Sequence, residues 1–288
     1  MCVDYVNNFS STTVTHVVPR GSLVYGVTSL GDDMFVIRTR SSQQKIEVYD
    51  TETFTLQRHI TVPGLGDYTQ GLAACVYNIC LYASDWNNDS VHRVDLSGYS
   101  SAVIRWSVAH RPVGLSVNSE HNLLVASQGE RNLQIFSTHG ALLQNIQLQA
   151  DIEYPRHAVQ LSTGQFLVSH SSLLSILLHR VCLVGVDGAV VRSYGGQPGS
   201  QLTQMNGAAG LSVDREGRVL VADQLNNRLL VIDQSLSSAH EMSLSVDGGL
   251  NHPRSLWYDQ SRRRLYIGEW SGRVIVIDNL QDFGACSI

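Results

Sequence analysis

The sequence predicts an all-β protein built from six copies of one four-stranded unit. Residues 207–233 are the clearest copy, because alternating apolar residues at 211–213 and 219–221 flank a polar turn that ends in Gly217. The continuous apolar run 229–232 follows, as expected for a strand that is buried on both faces. No helical periodicity competes with this pattern.

A small residue in the first strand of every repeat aligns the six units. These markers are Gly26, Gly71, Gly114, Ala158, Gly210 and Ser255. Their spacings are 45, 43, 44, 52 and 45 residues, a regular internal repeat over nearly the whole chain. First strands that converge on a crowded axis leave no room for a bulky side chain, which accounts for the small residue.

The last repeat lacks a fourth strand, whereas each of the first five has one. Residues 12–18, at the other end of the chain, can supply it, and their pairing with the last blade would close the ring and cover exposed sheet edges. We therefore predict one domain over residues 1–288, a six-bladed β-propeller of four-stranded antiparallel blades. The predicted blades lie near residues 24–62, 69–109, 112–149, 156–194, 207–247 and 253–278 plus 12–18.

The prolines agree with this division of the chain. All six are placed in connectors between a fourth strand and the next first strand, where no central ladder hydrogen bond is lost. They are Pro19, Pro63, Pro112, Pro155, Pro198 and Pro253.

Composition is typical of a soluble globular chain, with 43% hydrophobic and 16% charged residues. A formal net charge of −5 argues against general coating of nucleic acid. Neither a signal peptide nor an apolar membrane span is recognisable, so a reduced cytoplasmic compartment is expected unless the chain is cut from a longer secreted protein. The spacing of the five cysteines is not that of a zinc site. Cys75 and Cys80 flank a turn, so they could face each other across a hairpin or pack as small hydrophobic side chains.

The unit GLSVDREGRVLVADQLNNRLLVID resembles an NHL repeat, and the lead-in from Ser193 to Gly207 is similar to the connector of that family. Looser versions occur at residues 83–89 and 267–273. The resemblance implies a six-bladed propeller of the kind found at the C-terminus of tripartite-motif ubiquitin ligases. No RING or B-box cysteine pattern is present, so any ligase activity would need domains outside this chain.

Two rings of side chains are predicted on the face that carries the loops between second and third strands and the connectors between blades. The inner ring comprises His110, Arg111, Arg156, His157, Asn206, His252 and Arg254, with Tyr25 and Gln70 in the remaining units. The second ring, at the ends of the second strands, comprises Arg38, Asp85, Gln128, His170, Asp223 and Glu269, with Trp86 and Trp270 beside it.

Metal binding is one alternative for these rings. His110, His157 and His252 could converge on an axial zinc ion and serve a lyase or hydrolase. Asp223 and Glu269 could contribute to a calcium site. The neighbouring arginines would repel a cation, so we expect no cofactor.

A cationic mouth is the other alternative. Arg111, Arg156 and Arg254 could bind a carboxylate, a phosphate or single-stranded RNA, with bases stacking on Trp86, Trp270, Tyr25 and Tyr154. Some of these arginines could instead pair with acids between blades, and Arg228 is predicted to be structural.

An apolar insertion in the fourth repeat, residues 171–178, carries Leu174 and Leu177 and is predicted to form a lid or a partner site. No nucleophile elbow, phosphate-binding glycine loop or HExxH motif occurs. We therefore expect a monomeric, non-enzymatic module that binds a protein or peptide through the face with the two rings. RNA binding and metal-dependent catalysis are the alternatives, and no membrane association is expected.

Overall fold

The computed structural model describes residues 12–18, 21–38, 45–98, 102–171 and 178–280, which form a ring of six four-stranded antiparallel blades. The first strands of successive blades contact one another around the full circle, so the ring closes on itself. The predicted fold class is confirmed. No helix within these ranges is long and apolar enough to cross a membrane.

Two short strands precede the first three blades, and each of these blades is a simple meander of consecutive strands. The two strands are β1 (Thr12–Thr13) and β2 (His16–Val18). Blade one contains β3 (Val24–Leu30), β4 (Asp33–Arg38), β5 (Lys45–Asp50) and β6 (Leu56–Thr61). Blade two contains β7 (Thr69–Cys75), β8 (Cys80–Asp85), β9 (Ser90–Asp95) and β10 (Val103–Ser107). Blade three contains β11 (Pro112–Val117), β12 (Leu123–Ser127), β13 (Asn132–Phe136) and β14 (Leu142–Gln147).

The next blades repeat the meander until the chain returns to its start. Blade four contains β15 (Pro155–Gln160), β16 (Phe166–His170), β17 (His179–Val184) and β18 (Val190–Gly196). Blade five contains β19 (Ala208–Val213), β20 (Val219–Asp223), β21 (Arg228–Ile232) and β22 (Ala239–Glu241), with a 3₁₀ turn at Gln224–Asn226. The short strand β23 (Leu244–Ser245) follows, and blade six contains β24 (Pro253–Asp259), β25 (Arg264–Glu269) and β26 (Val274–Ile277).

The hydrophobic core is divided into six clusters, one between each pair of neighbouring blades. Successive side chains of a strand point to opposite faces of its sheet. In β8, Leu81 and Ala83 pack toward blade one, whereas Cys80 and Tyr82 pack toward blade three. The middle strands are therefore apolar at nearly every position.

The ring is closed by β2, which pairs antiparallel with β26 as the fourth strand of blade six. This confirms the predicted closure, but residues 12–18 do not form one strand. Thr12 and Thr13 pair in parallel with Leu244 and Ser245, after the outer strand of blade five. Neighbouring blades are twisted relative to each other, so one straight strand cannot pair with both.

Every first strand has a β-bulge near its start, where two residues face one residue of the second strand. In blade four this register pairs His157 with Ser169, just as Gly26 pairs with Ile37 in blade one. The marker of the fourth repeat is therefore His157, and the assignment of Ala158 is wrong by one residue. Small-residue matching alone misplaced it because Ala158 adjoins the true position.

Adjacent first strands approach most closely at the marker positions. A Cβ atom added to Gly71 would lie 2.2 Å from the Val113 carbonyl oxygen, and one added to Gly114 would lie 2.4 Å from that of Arg156. Where the marker is not glycine, its side chain accepts a hydrogen bond from the next blade. The Val27 N–H donates to Ser255 Oγ at 3.1 Å, and the Leu211 N–H donates to His157 Nδ1 at 3.2 Å.

Three prolines, Pro112, Pro155 and Pro253, are the first residues of inner strands, and Pro63 and Pro198 lie in connectors. A first strand residue and a connector both tolerate the missing N–H group. Pro19 lies outside the described residues. Cys75 and Cys80 are direct cross-strand partners, and both are free and buried.

Substitution of a marker glycine tests the close approach of the first strands. Gly71→Ala is expected to lower the free energy of unfolding by about 1–3 kcal/mol or more, because the new methyl group meets backbone rather than a movable side chain. Gly196→Ala is the matched control, since a Cβ there meets nothing within 4 Å. Urea denaturation midpoints of the two variants measure the difference, and equal midpoints would contradict the proposed crowding.

Candidate functional site

The second ring occupies equivalent positions in all six blades, at the end of the second strand. Its members each pair with the first residue of the inner strand, and they are Arg38, Asp85, Ser127, His170, Asp223 and Glu269. Gln128 was assigned to this ring in place of Ser127, which is wrong because β12 ends one residue earlier. All six side chains are buried.

Asp223 stabilises the connector that enters blade five. Its carboxylate accepts hydrogen bonds from the Asn206 N–H at 2.7 Å and from Arg228 Nε at 2.8 Å. Arg228 in turn donates to the carbonyl oxygens of Ser200 at 2.8 Å and Gln201 at 2.9 Å. This network confirms the structural role predicted for Arg228.

Glu269 does the same in blade six. It accepts from the Asn251 N–H at 2.7 Å and from Arg273 Nε at 2.7 Å, while Arg273 donates to the carbonyl oxygens of Asp247 and Gly249. Asp223 and Glu269 are thus engaged in separate networks with a guanidinium and backbone donors. No group of three or more His, Cys, Asp or Glu side chains in the described ranges is arranged to hold a metal ion.

Two other blades use different residue types for the same anchor. In blade one the arginine ends the second strand and the acid lies in the third strand, the reverse of blade five. Arg38 Nε donates to Glu47 at 2.8 Å, and Arg38 Nη1 donates to the Gly272 carbonyl oxygen at 2.6 Å. In blade four Arg180 Nε donates to His170 Nε2 at 2.8 Å. The second ring is therefore a set of buried anchors for connectors and not a contact surface.

The predicted inner ring does not form one set when each position is counted from its marker. His157 is itself a marker, and His110 and Asn206 lie four residues before theirs. The residue just before each marker is the extra residue of the bulge, and these residues line the central cavity: Tyr25, Gln70, Val113, Arg156, Ala209 and Arg254. The residue three positions before each marker immediately precedes the first strand, where the connector enters the blade. In blades two to six these residues are Tyr68, Arg111, Tyr154, Gly207 and His252. Arg111 therefore does not share a mouth with Arg156 and Arg254.

The central cavity has a volume of about 1290 Å³ and extends from the level of Arg156 and Arg254 to the hairpins between first and second strands. Arg254 stacks over the Tyr25 ring, with its guanidinium carbon 4.5 Å from the ring centroid, and donates to Gln70 Oε1. Arg156 donates to Gln224 Oε1 at 3.4 Å. Side chains of five blades thus meet at this end of the cavity.

The connector face, which carries the connectors and the loops between second and third strands, has two aromatic groups. Around Trp86, the Tyr68 ring lies 6.3 Å away and the Arg111 guanidinium 4.8 Å from the indole centroid. On blade six, His252 stacks on Trp270 at 5.6 Å. Backbone hydrogen bonds from Trp86 to Tyr68 and from Trp270 to His252 show that the two groups are structurally equivalent.

The three histidines suggested as zinc ligands lie in different surroundings. His110 Nδ1 contacts Asp89 at 2.8 Å on the surface, and His252 stacks on Trp270. His157 uses both ring nitrogens, because Nδ1 accepts from Leu211 and Nε2 therefore donates to the Leu115 carbonyl oxygen at 3.0 Å. This arrangement does not support a three-histidine metal site.

The sequence pattern did not identify Tyr68, Asp89 or Gln224 as site residues. Tyr68 was detectable, since it lies three residues before its marker exactly as His252 does. Asp89 and Gln224 come from loops whose contacts cross between blades, and no spacing rule identifies them. Leu174 and Leu177 lie outside the described residues, so their predicted role as lid or partner site stays a prediction.

Buried neutral histidines predict an acid-sensitive fold. Burial, and then the Arg180 charge, lower the pKa of His170 to about 3, and burial lowers the pKa of His157. Below an unfolded pKa near 6.5 the unfolded chain binds more protons than the folded chain, so stability is full above that pH and declines as pH falls toward the folded values. We expect the free energy of unfolding to decrease between pH 6.5 and 4.5, by at most about 1.4 kcal/mol per pH unit for each such group.

His170→Gln, which keeps an acceptor for Arg180, is expected to flatten this decline, measured as urea unfolding at several pH values. The exposed His139→Gln variant is the matched control and should keep the original slope. An unchanged slope in His170→Gln would contradict the prediction.

Comparison with known proteins gives a partial sequence match and a clear fold match. No protein-family model matches the chain. The Drosophila melanogaster protein named brain tumor, an NHL protein, is 25% identical over 139 residues, which is 46% of this chain and 12% of that protein. The chain therefore spans only a small part of this relative.

Two solved structures illustrate the shared fold. Hydrazine synthase of Kuenenia stuttgartiensis superposes with a TM-score of 0.65 at 16% identity, covering 90% of this chain and 78% of that one. Virginiamycin B lyase of Staphylococcus aureus superposes with a TM-score of 0.63 at 10% identity, covering 89% and 82%. At these identities the likeness shows the fold alone. The chain is thus a six-bladed β-propeller, part of which is similar in sequence to one NHL protein.

Proposed function

We propose that this propeller is a non-enzymatic recognition module that binds a protein or peptide through its connector face. The observation that carries the proposal is the pair of equivalent aromatic groups, Tyr68–Trp86–Arg111 and His252–Trp270. Trp, Tyr and Arg are the residue types that contribute most to binding energy at protein interfaces. Two such groups on one face offer two anchor points for a partner.

The first group is held in place before any partner arrives. Trp86 packs against the hydrophobic cluster between blades three and four, and Arg111 covers its ring. The Arg111 N–H donates to Asp89 Oδ1 at 2.8 Å, which fixes the backbone that carries the guanidinium. Side chains that are already ordered lose little conformational entropy on binding.

The edges of this group remain accessible. Tyr68 is 43% exposed, and Arg111 and His110 are also exposed. The His110–Asp89 pair lies beside Arg111 and adds a polar rim. A partner can therefore bury aromatic area at the centre and form hydrogen bonds at the margin, as in typical protein interfaces.

A peptide library displayed on phage and selected on the immobilised chain tests the proposal. Trp86→Ala and Trp270→Ala are expected to weaken the selected peptides tenfold or more, equivalent to about 1.4 kcal/mol, measured by fluorescence anisotropy. Tyr77→Ala is the matched control. Tyr77 is an aromatic residue with 73% exposure that stacks on His121, but it lies in a hairpin on the opposite face.

Peptides that lose affinity in Tyr77→Ala and keep it in both tryptophan variants would contradict the choice of face. Single-stranded RNA is the alternative ligand, tested with a labelled oligouridylate. RNA binding that falls steeply with salt and is lost in Arg111→Ala would replace the protein partner by RNA.

A further inference from the structure

The central cavity contains two arginines at equivalent positions of different blades. Arg156 extends from β15 and Arg254 from β24, each one residue before its marker, and both line the cavity. The repeated bulge directs each of them toward the axis. Tyr25 and Gln70, at the same position of blades one and two, complete this end of the cavity.

These two arginines are half-buried and differ from the fully buried arginines in their partners. Each of the five most buried arginines forms an ion pair with a carboxylate: Arg38 with Glu47, Arg93 with Asp95, Arg228 with Asp223, Arg264 with Asp278 and Arg273 with Glu269. Within the described residues no carboxylate forms an ion pair with Arg156 or Arg254. Their acceptors are the neutral amides of Gln224 and Gln70.

The surroundings of the two guanidiniums contain more donors than acceptors. Gln224 is fully buried, and its Nε2 has no acceptor among the described residues. Burial, and then the Arg156 charge, lower the pKa of Arg254 to about 9, and burial also lowers the pKa of Arg156. Two like charges held close together without an anion repel each other, and a bound oxyanion would neutralise them and supply acceptors.

The rest of the cavity is suited to the body of such a ligand. Leu72, Leu115, Leu211 and Leu256 line it beyond the arginines. Carboxylates at the hairpin end are already engaged, since Asp214 pairs with Arg218 at 2.8 Å and Asp259 accepts from Ser261 Oγ at 2.6 Å. Arg215 at the hairpin end donates to the Gln260 carbonyl oxygen at 3.0 Å and is a single cation. Among the described residues, two guanidiniums without carboxylate partners lie together only at the end that contains Arg156 and Arg254.

We propose that the cavity binds a small organic oxyanion, with its carboxylate or phosphate group held between Arg156 and Arg254. Arg254 is oriented for this by the Tyr25 ring beneath it, and the organic part of the ligand lies along the leucine-lined wall toward the hairpins. This site is separate from the aromatic groups of the connector face.

Thermal unfolding and calorimetric titration test the site with three probes of one shape: phenyl phosphate, phenylacetate and the neutral phenylacetamide, all at constant ionic strength. The two anions are expected to raise the melting temperature of the wild-type chain and phenylacetamide to leave it unchanged. The more effective anion identifies phosphate or carboxylate as the preferred group. Equal effects of all three probes would overturn the proposal.

Arg156→Gln and Arg254→Gln are expected to bind the anions at least tenfold more weakly. Each ligand-free variant should also melt at a higher temperature than the wild-type chain, because the repulsion between the guanidiniums is removed. Arg215→Gln is the matched control, since Arg215 lines the other end of the same cavity and should leave anion binding within twofold. A lower melting temperature of both ligand-free variants, together with retained anion binding, would show that the two arginines are structural.

Trp86→Ala distinguishes this inference from the proposed function. It should leave anion binding unchanged, because Trp86 does not line the cavity. Loss of anion binding in this variant would place the anion on the connector face and overturn the channel site.

Discussion

The close approach of six first strands around one axis is the constraint on which the rest of this structure depends. At Gly71 and Gly114 the neighbouring backbone lies where a Cβ atom would be, so the chain has glycine there. At the two junctions without glycine, Ser255 and His157 each accept a hydrogen bond from the next first strand. A side chain at the marker is thus compatible with the ring only when it satisfies a backbone donor of the adjacent blade.

The bulge beside each marker directs neighbouring side chains to two different surfaces, the central cavity and the connector face. The residue before the marker points to the axis, and the residue three positions before it lies at the connector face. Arginines whose positions in the repeat differ by only two residues therefore lie on different surfaces. Arg254 lies over Tyr25 in the cavity, whereas Arg111 lies over Trp86 on the face.

Arginine side chains occur in two distinct environments in this propeller. In the second ring, guanidinium and carboxylate groups are paired and also bind the backbone of the connectors, so their burial is compensated locally. In the channel the two guanidiniums have only neutral acceptors among the described residues. The paired charges of the second ring stabilise the fold. Two guanidiniums without a carboxylate partner are what we expect at a site that binds an anion.

The sequence by itself determined the all-β class, the six repeats, nearly all second strands and the closure by the N-terminal segment, because period-two alternation and repeat spacing are local signals. It also identified Arg228 as structural from the repeat pattern. Only the tertiary structure decided that His157 is the marker of blade four, since a histidine there depends on a hydrogen bond to β19, a strand more than fifty residues away. The same one-residue shift placed Arg156 at the position of Arg254, one residue before the marker, and away from that of Arg111, because whether a side chain faces the axis or the connector face depends on the register of the bulge.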